Sequence, residues 1–261
     1  MGSQMREYFR TERKTDTVEE MAERFQKLDI FGVILHNVSD SARGHQSPPN
    51  DWPAEIVKRY PKQFAFFAGV DPWAGKLAVK EVERAVKDLG AIGLKLVPMM
   101  AEFFANEHRF YPIYEKCAEL KIPVMFHSGT TGVGAGLPGG GGIRLKYCRP
   151  IPYFDDVACD FPELTVILAH PSFPWQDEQL AMAVHKKNVY FDISGWSPKY
   201  FSPNLIQYAN TIIQDKVLFG SDYPMIYPER WLEAFDAAAF RPEVRPKILL
   251  ENARKVLKLP I

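Results

Sequence analysis

Three short apolar runs each end on a side chain that can ligate a metal or move a proton. Pro123-Val-Met-Phe-His127-Ser-Gly129 delivers an imidazole, and Val166-Ile-Leu-Ala-His170-Pro171 delivers a second. Val217-Leu-Phe-Gly-Ser-Asp222-Tyr-Pro224 delivers a carboxylate. Imidazole nitrogen and carboxylate oxygen are ligands that suit Zn2+ and similar ions, and a catalytic site keeps one position open for water. An imidazole outside the ligand set titrates near neutrality and can serve as general acid or base. Taken singly, each of these residues is also what a strand end uses to cap its loop. The same arrangement met three times points to one shared site.

The elements that must position these residues are legible from the same runs. A short apolar stretch between turn signals reads as a strand buried on both faces, as in a parallel sheet, and α/β folds place their sites at the C-terminal ends of such strands. Seven strands are expected, near residues 33, 66, 94, 125, 168, 191 and 218, alternating with helices. The helices are expected over 16–28, 54–59, 76–88, 111–120, 153–159, 177–185, 203–209, 229–238 and 242–257. The alternation predicts an α/β fold, a TIM-type (β/α) barrel in one domain over 1–261, with Met1–Gln4 expected as a cloning scar. A complete barrel has eight strands. The sequence opens with an amphipathic helix, so the first strand is expected to be lacking. A gap of this kind leaves two strand edges, which predicts aggregation, a dimer across the gap, or closure with seven strands.

Composition narrows the function classes. The 261 residues are 46% hydrophobic and 25% charged, ordinary for a protein with a sizeable core, and Lys+Arg balances Asp+Glu at 32 each. No net field favours nucleic acid or an anionic membrane. No apolar run approaches the roughly 20 residues that span a bilayer. Cys117, Cys148 and Cys159 show no CxxC spacing, which fits a reducing compartment, and no signal-peptide pattern opens the chain; a cytoplasmic location is expected. The loop from Gly129 to Gly142 contains a literal GxGxxG, but Pro138 and the glycines after it leave no helix to follow, so a mobile lid is expected and not a dinucleotide site.

His-Ser-Gly, Leu-Ala-His-Pro and Leu-Phe-Gly-Ser-Asp-Tyr-Pro, in this order, resemble the amidohydrolase-2 branch of the amidohydrolase superfamily. That branch contains aminocarboxymuconate-semialdehyde decarboxylase, resorcylate decarboxylases, and assorted hydrolases and hydratases. Arg59-Tyr-Pro-Lys-Gln-Phe64, Gly69-Val-Asp-Pro72, Ile92-Gly-Leu-Lys95 and Asp160-Phe-Pro-Glu-Leu164 fit the same pattern. So do Phe191-Asp-Ile-Ser-Gly195 and Glu251-Asn-Ala-Arg-Lys-Val-Leu257. The resemblance implies a distorted TIM barrel with one divalent metal, most often zinc. It implies His127 and Asp222 as metal ligands, His170 as general acid/base, and a catalytic part for Asp222 as well. Dimers are common in the branch, so a homo-oligomer is expected. The departure is the His-x-His that members carry on their first strand: the sequence has none, and its first histidine is His36. The chain is therefore either a truncated enzyme or a barrel that lives without the usual site.

Lesser candidates surround these. Lys95 ends a strand and can pair with a substrate carboxylate or phosphate, or sit in a salt bridge. His36 also ends a strand. Arg43 and His45 lie in the following loop, where the resembled branch binds substrate anions. Trp175 can floor an aromatic ring or join the core. Asp192 ends a strand and is expected to make structural hydrogen bonds. Arg144, Lys146 and Arg149, after the Gly-rich loop, can meet an acidic substrate or face water. Together these residues predict a metal-dependent hydrolase of a small carboxylated, aromatic or β-keto substrate, with an aryl β-ketoacyl-CoA as one form. Non-oxidative decarboxylation is the alternative, and a non-catalytic barrel that has lost its metal is the third reading.

Overall fold

A computed structural model describes residues 7–9, 16–259 and 261; Met1–Gln4 lie outside the described residues. The seven expected strands are all present: β1 (Gly32–Leu35), β2 (Phe64–Gly69), β3 (Gly93–Leu96), β4 (Val124–His127), β5 (Val166–Ala169), β6 (Val189–Asp192) and β7 (Val217–Leu218). They form one parallel sheet in sequence order from β1 to β7. Helical crossovers join them. The longer helices are α1 (Val18–Lys27), α2 (Asp51–Arg59), α3 (Lys76–Lys87), α4 (Tyr111–Glu119), α5 (Tyr153–Asp160), α6 (Gln176–His185), α7 (Pro203–Ala209), α8 (Pro228–Asp236) and α9 (Asn252–Leu257), with single turns at Asp40–Arg43 and Pro98–Ala101. The helix expected over 242–257 starts later, after turns at 242–244, and runs through to 257. Pro242 and Pro246 have no N–H to donate, and a π-type turn over Lys247–Glu251 precedes α9. None of the described helices is long and apolar enough to cross a membrane.

Alternation along the strands builds two cores. Leu94 and Leu96, Val124 and Phe126, Val166 and Leu168, and Val189 and Phe191 point outward and join the large core beneath the helices. Phe67, Met125, Ile167, Ala169 and Leu218 point the other way and form a smaller interior cluster, onto which α9 turns Ala253, Val256 and Leu257. The same inward phase places Lys95, His127 and Asp192 beside that cluster, at the C-terminal ends of β3, β4 and β6. The sheet is curled. In a flat sheet Lys95 and Asp192, three strands apart, would be separated by about 14 Å, yet Asp192 and the more distant Asp222 both act on the Lys95 charge.

Among the described residues no strand joins β7 to β1, so the ladder is open there and does not close with seven strands. Leu35, an inward position of β1, is 41% exposed at this open side. Helix α1 straddles the opening. Its N-cap Thr17 and Glu20 form a reciprocal capping box. Phe25 packs on Phe64 from β2 and meets Tyr223, beyond β7, at 5.7 Å between ring centroids. Arg24 lies 4.6 Å over the Tyr227 ring and pairs with Glu229 and with Asp16. On the far side, the Phe219 N–H donates to the Ile248 carbonyl at 2.9 Å, which engages the chain just past β7.

Close packing against the interior fixes some glycines. A Cβ at Gly93 would lie 2.6 Å from the Phe67 ring, which is itself fully buried. Gly93→Ala is therefore expected to lower the urea midpoint with unchanged m-value, by about 1–3 kcal/mol of stability, the usual cost of overpacking a core.

Candidate active site

Strand ends and two left-handed residues assemble the site. His127, the last residue of β4, is buried, and its Nε2 faces the Thr130 carbonyl at 3.1 Å. His170 follows β5, and its φ of 71° bends the chain as it leaves the strand. The two imidazoles meet edge to face with centroids 4.7 Å apart. Asp222 also has a positive φ, 65°, four positions after the end of β7.

The His170 conformation is held from several directions. Asp192 Oδ1 accepts the His170 N–H at 3.1 Å and the Ser194 N–H at 2.8 Å, while Gln179 Nε2 donates to the His170 carbonyl at 2.7 Å. Ser194 Oγ pairs with His170 Nδ1 at 2.9 Å, and Gly195 leaves room for the ring, since a Cβ there would come within 2.7 Å of Nδ1. Ser128 Oγ lies 2.6 Å from Ser172 Oγ and donates to the Ala169 carbonyl, lacing the exits of β4 and β5 together. Of these, Ser194 and Gln179 were missed as contributors. The Asp-Ile-Ser-Gly segment carried the only signal for Ser194, and nothing in sequence spacing pairs Gln179 with His170.

Charge within the cluster is mutual. Burial, with the charges of His170 and Lys95 beside it, holds His127 well below the ordinary imidazole range, so the ring is neutral. Lys95 is 6% exposed, and burial lowers its ammonium to about 8 against the pull of Asp192 and Asp222. Among the described residues Lys95 has no hydrogen bond and no ion pair. Asp222 keeps surface open to solvent in the mouth of the sheet, yet protein atoms crowd its carboxyl. That crowding raises its pKa, His170 and Lys95 lower it, and Asp192 raises it.

The remaining candidates are placed elsewhere or otherwise engaged. His36 is buried with Nε2 on the Pro48 carbonyl at 2.8 Å, and the Trp52 ring beside it. The Arg43 guanidinium donates to the Met99 and Met100 carbonyls at 2.7 and 2.8 Å and approaches Glu102, so it clamps the turn after β3. His45 lies 4.0 Å from Asp40 and is exposed. Trp175 is half-buried, with its backbone N–H donating to the Ser172 carbonyl, where α6 begins. Arg149 pairs with Glu178, Arg144 approaches Glu102, and Lys146 sits over the Phe104 and Tyr147 rings. In the Gly-rich loop, Gly139, Gly140 and Gly141 all take left-handed angles, and Tyr8 packs on Gly136.

A divalent ion does not fit this set. Among the described residues no three His, Cys, Asp or Glu side chains converge as a metal site. His127 Nε2 faces a carbonyl, which only accepts, so that nitrogen carries hydrogen and is not free to ligate. His127 and Asp222, the ligands the resemblance implies, thus fall short of a metal-binding set and stand beside a lysine ammonium.

The neutral His127 has a consequence for stability. When the chain unfolds, this ring returns to its ordinary value of 6.5 and takes up a proton. The unfolded state then binds more protons, so stability is complete above about 6.5 and falls as pH drops below it. Thermal midpoints measured between pH 7.5 and 5 are expected to decline, and to decline less in His127→Gln.

The sequence matches the family model for amidohydrolases, Amidohydro_2, over residues 14–259. A gamma-resorcylate decarboxylase from a Polaromonas species is 23% identical over 281 aligned residues, covering 89% of this chain and 82% of that protein. A TIM-barrel protein from Bordetella bronchiseptica is 28% identical, with a TM-score of 0.79, covering 93% of this chain and 83% of the other. A dihydroxybenzoic acid decarboxylase from Polaromonas, solved with manganese and 2-nitroresorcinol, shares 21% identity at a TM-score of 0.67, over 94% of this chain and 87% of its own. With the family match running through all seven strands and the whole histidine–aspartate cluster, the chain belongs to the amidohydrolase family.

Proposed function

We propose that the chain is a non-oxidative decarboxylase of a small aromatic or β-keto carboxylate. The observation that carries this reading is the convergence of Lys95, His127, His170 and Asp222 on one mouth, in a chain whose relatives include proteins named as decarboxylases of aromatic acids. Loss of CO2 leaves an electron pair on the adjacent carbon, and catalysis consists of stabilising that pair and then protonating the carbon. Lys95 is the amine that faces the substrate. His170, held through Ser194 and Asp192, is the group that moves the proton, and Asp222 shares the mouth with it. Hydrolysis, which the sequence places first, draws less support. The cations after the Gly-rich loop that would meet an acyl-CoA are already engaged with Glu178, Glu102 and aromatic rings.

The direct test is release of labelled CO2 from a panel of hydroxybenzoates and β-keto acids, run beside ester, lactone and thioester hydrolysis. CO2 release is expected, and His170→Gln is expected to lower kcat by about 10²–10⁴ with little change in thermal midpoint. Hydrolysis without CO2 release from any carboxylate would replace this reading with the hydrolytic one.

A further inference from the structure

Lys95 is the group whose surroundings are least explained by packing. A buried amine ordinarily acquires an ion pair or hydrogen bonds, because a cation taken out of water without them is costly. Lys95 has neither among the described residues, although it is 6% exposed and sits at the exit of β3. The nearby carboxylates do not reach it. Asp192 commits Oδ1 to the backbone of His170 and Ser194, and Asp222 lies beyond ion-pair distance. Its strand neighbours Leu94 and Leu96 point into the large core, so the side chain of Lys95 projects into the mouth where His127, His170 and Asp222 gather.

We propose that Lys95 is a covalent catalyst whose amine condenses with the keto carbonyl of a β-keto carboxylate to form an iminium ion that draws off the electrons released with CO2. This rests on the decarboxylase reading above and narrows its substrate to a β-keto acid. The amine lone pair attacks the ketone carbon, the C–N bond forms, and the carbonyl oxygen leaves as water. The bond from Cα to the carboxylate then breaks, CO2 departs, and the electron pair passes into the enamine. The enamine carbon takes a proton passed from water through His170, and hydrolysis of the iminium returns the ketone and the free amine. The sum consumes one β-keto carboxylate and one proton and yields one ketone and one CO2, with no oxidant or reductant.

Two features beyond the missing partners support a nucleophile over a simple anion holder. Desolvation brings the ammonium to about 8, so free amine is available in mildly alkaline solution. The imidazole pair stands in the same mouth, where His170 can serve the protonation step. An anion holder would gain from a permanent charge, which Arg supplies and a desolvated Lys does not.

The test uses acetoacetate and benzoylacetate with sodium borohydride on the unmodified chain, so it does not depend on a variant folding. Borohydride is expected to inactivate only when the keto acid is present, and digestion is expected to show an alkyl group on the Lys95 peptide, isopropyl in the case of acetoacetate. Lys95→Arg is expected to lose CO2 release from β-keto acids entirely while keeping its circular dichroism spectrum. CO2 release that persists in Lys95→Arg, or that proceeds in the unmodified chain with no adduct or with an adduct on another lysine, would overturn the covalent role and leave the decarboxylase reading standing. No CO2 and no adduct from either keto acid would also overturn it, and the hydroxybenzoate panel then decides the decarboxylase reading separately.

Discussion

Moving an ammonium from water into a protein interior is among the costliest single acts of folding, and at Lys95 no hydrogen bond or ion pair offsets it. What remains is the field of Asp192 and Asp222 from across the curl of the sheet. That field exists only because the ladder bends far enough to bring the ends of β3, β6 and β7 into one mouth. The neutrality of His127 and the raised pKa of Asp222 follow from the same crowding, so the protonation states of Lys95, His127 and Asp222 depend on one another. Asp192 has two functions in this arrangement. It contributes negative potential toward Lys95, and its Oδ1 ties down the backbone from which the His170 ring is presented.

The strands were legible because each is a short apolar run bounded by Pro, Gly or Asn, and a parallel sheet buried on both faces requires such runs. Lys95, His127 and Asp192 were legible for the related reason that a polar residue in the inward phase of such a strand has only the mouth to face. The gap was legible from the strand count, whereas the way α1 spans it was not, since it depends on Phe25, Arg24, Tyr223 and Tyr227 meeting across the whole chain. His170 and Asp222 were found by type, but their presentation depends on left-handed backbone that neither residue type announces. Arg43 and His36 show the opposite limit. Loop residues are read by charge and proximity in sequence, and their hydrogen bonds to the Met99, Met100 and Pro48 carbonyls have no signature there.

The resemblance carried in the motifs and the family match agree on lineage, and the site's chemistry is a separate matter. A shared barrel can carry many reactions, because the reaction depends on which few groups occupy the mouth and in what charge state. Here the occupants are two imidazoles, an accessible carboxylate, a carboxylate spent on backbone N–H groups, and an amine with no partner. That inventory is better matched to stabilising a carbanion than to cradling a divalent ion.

The helix that straddles the open side also bears on how the chain finds its structure. Every pair of strands in the ladder joins sequence neighbours across a single crossover. The clasp from Arg24 to Glu229 instead joins residues 205 positions apart. Closing so long a loop costs entropy that only the finished ladder can compensate, so low-contact-order pairing comes first and the clasp last. The reverse path is equally available. Release of Tyr223, Tyr227 and Glu229 by helix α1 would leave every strand pair intact, so the open side is where local opening is expected to cost least.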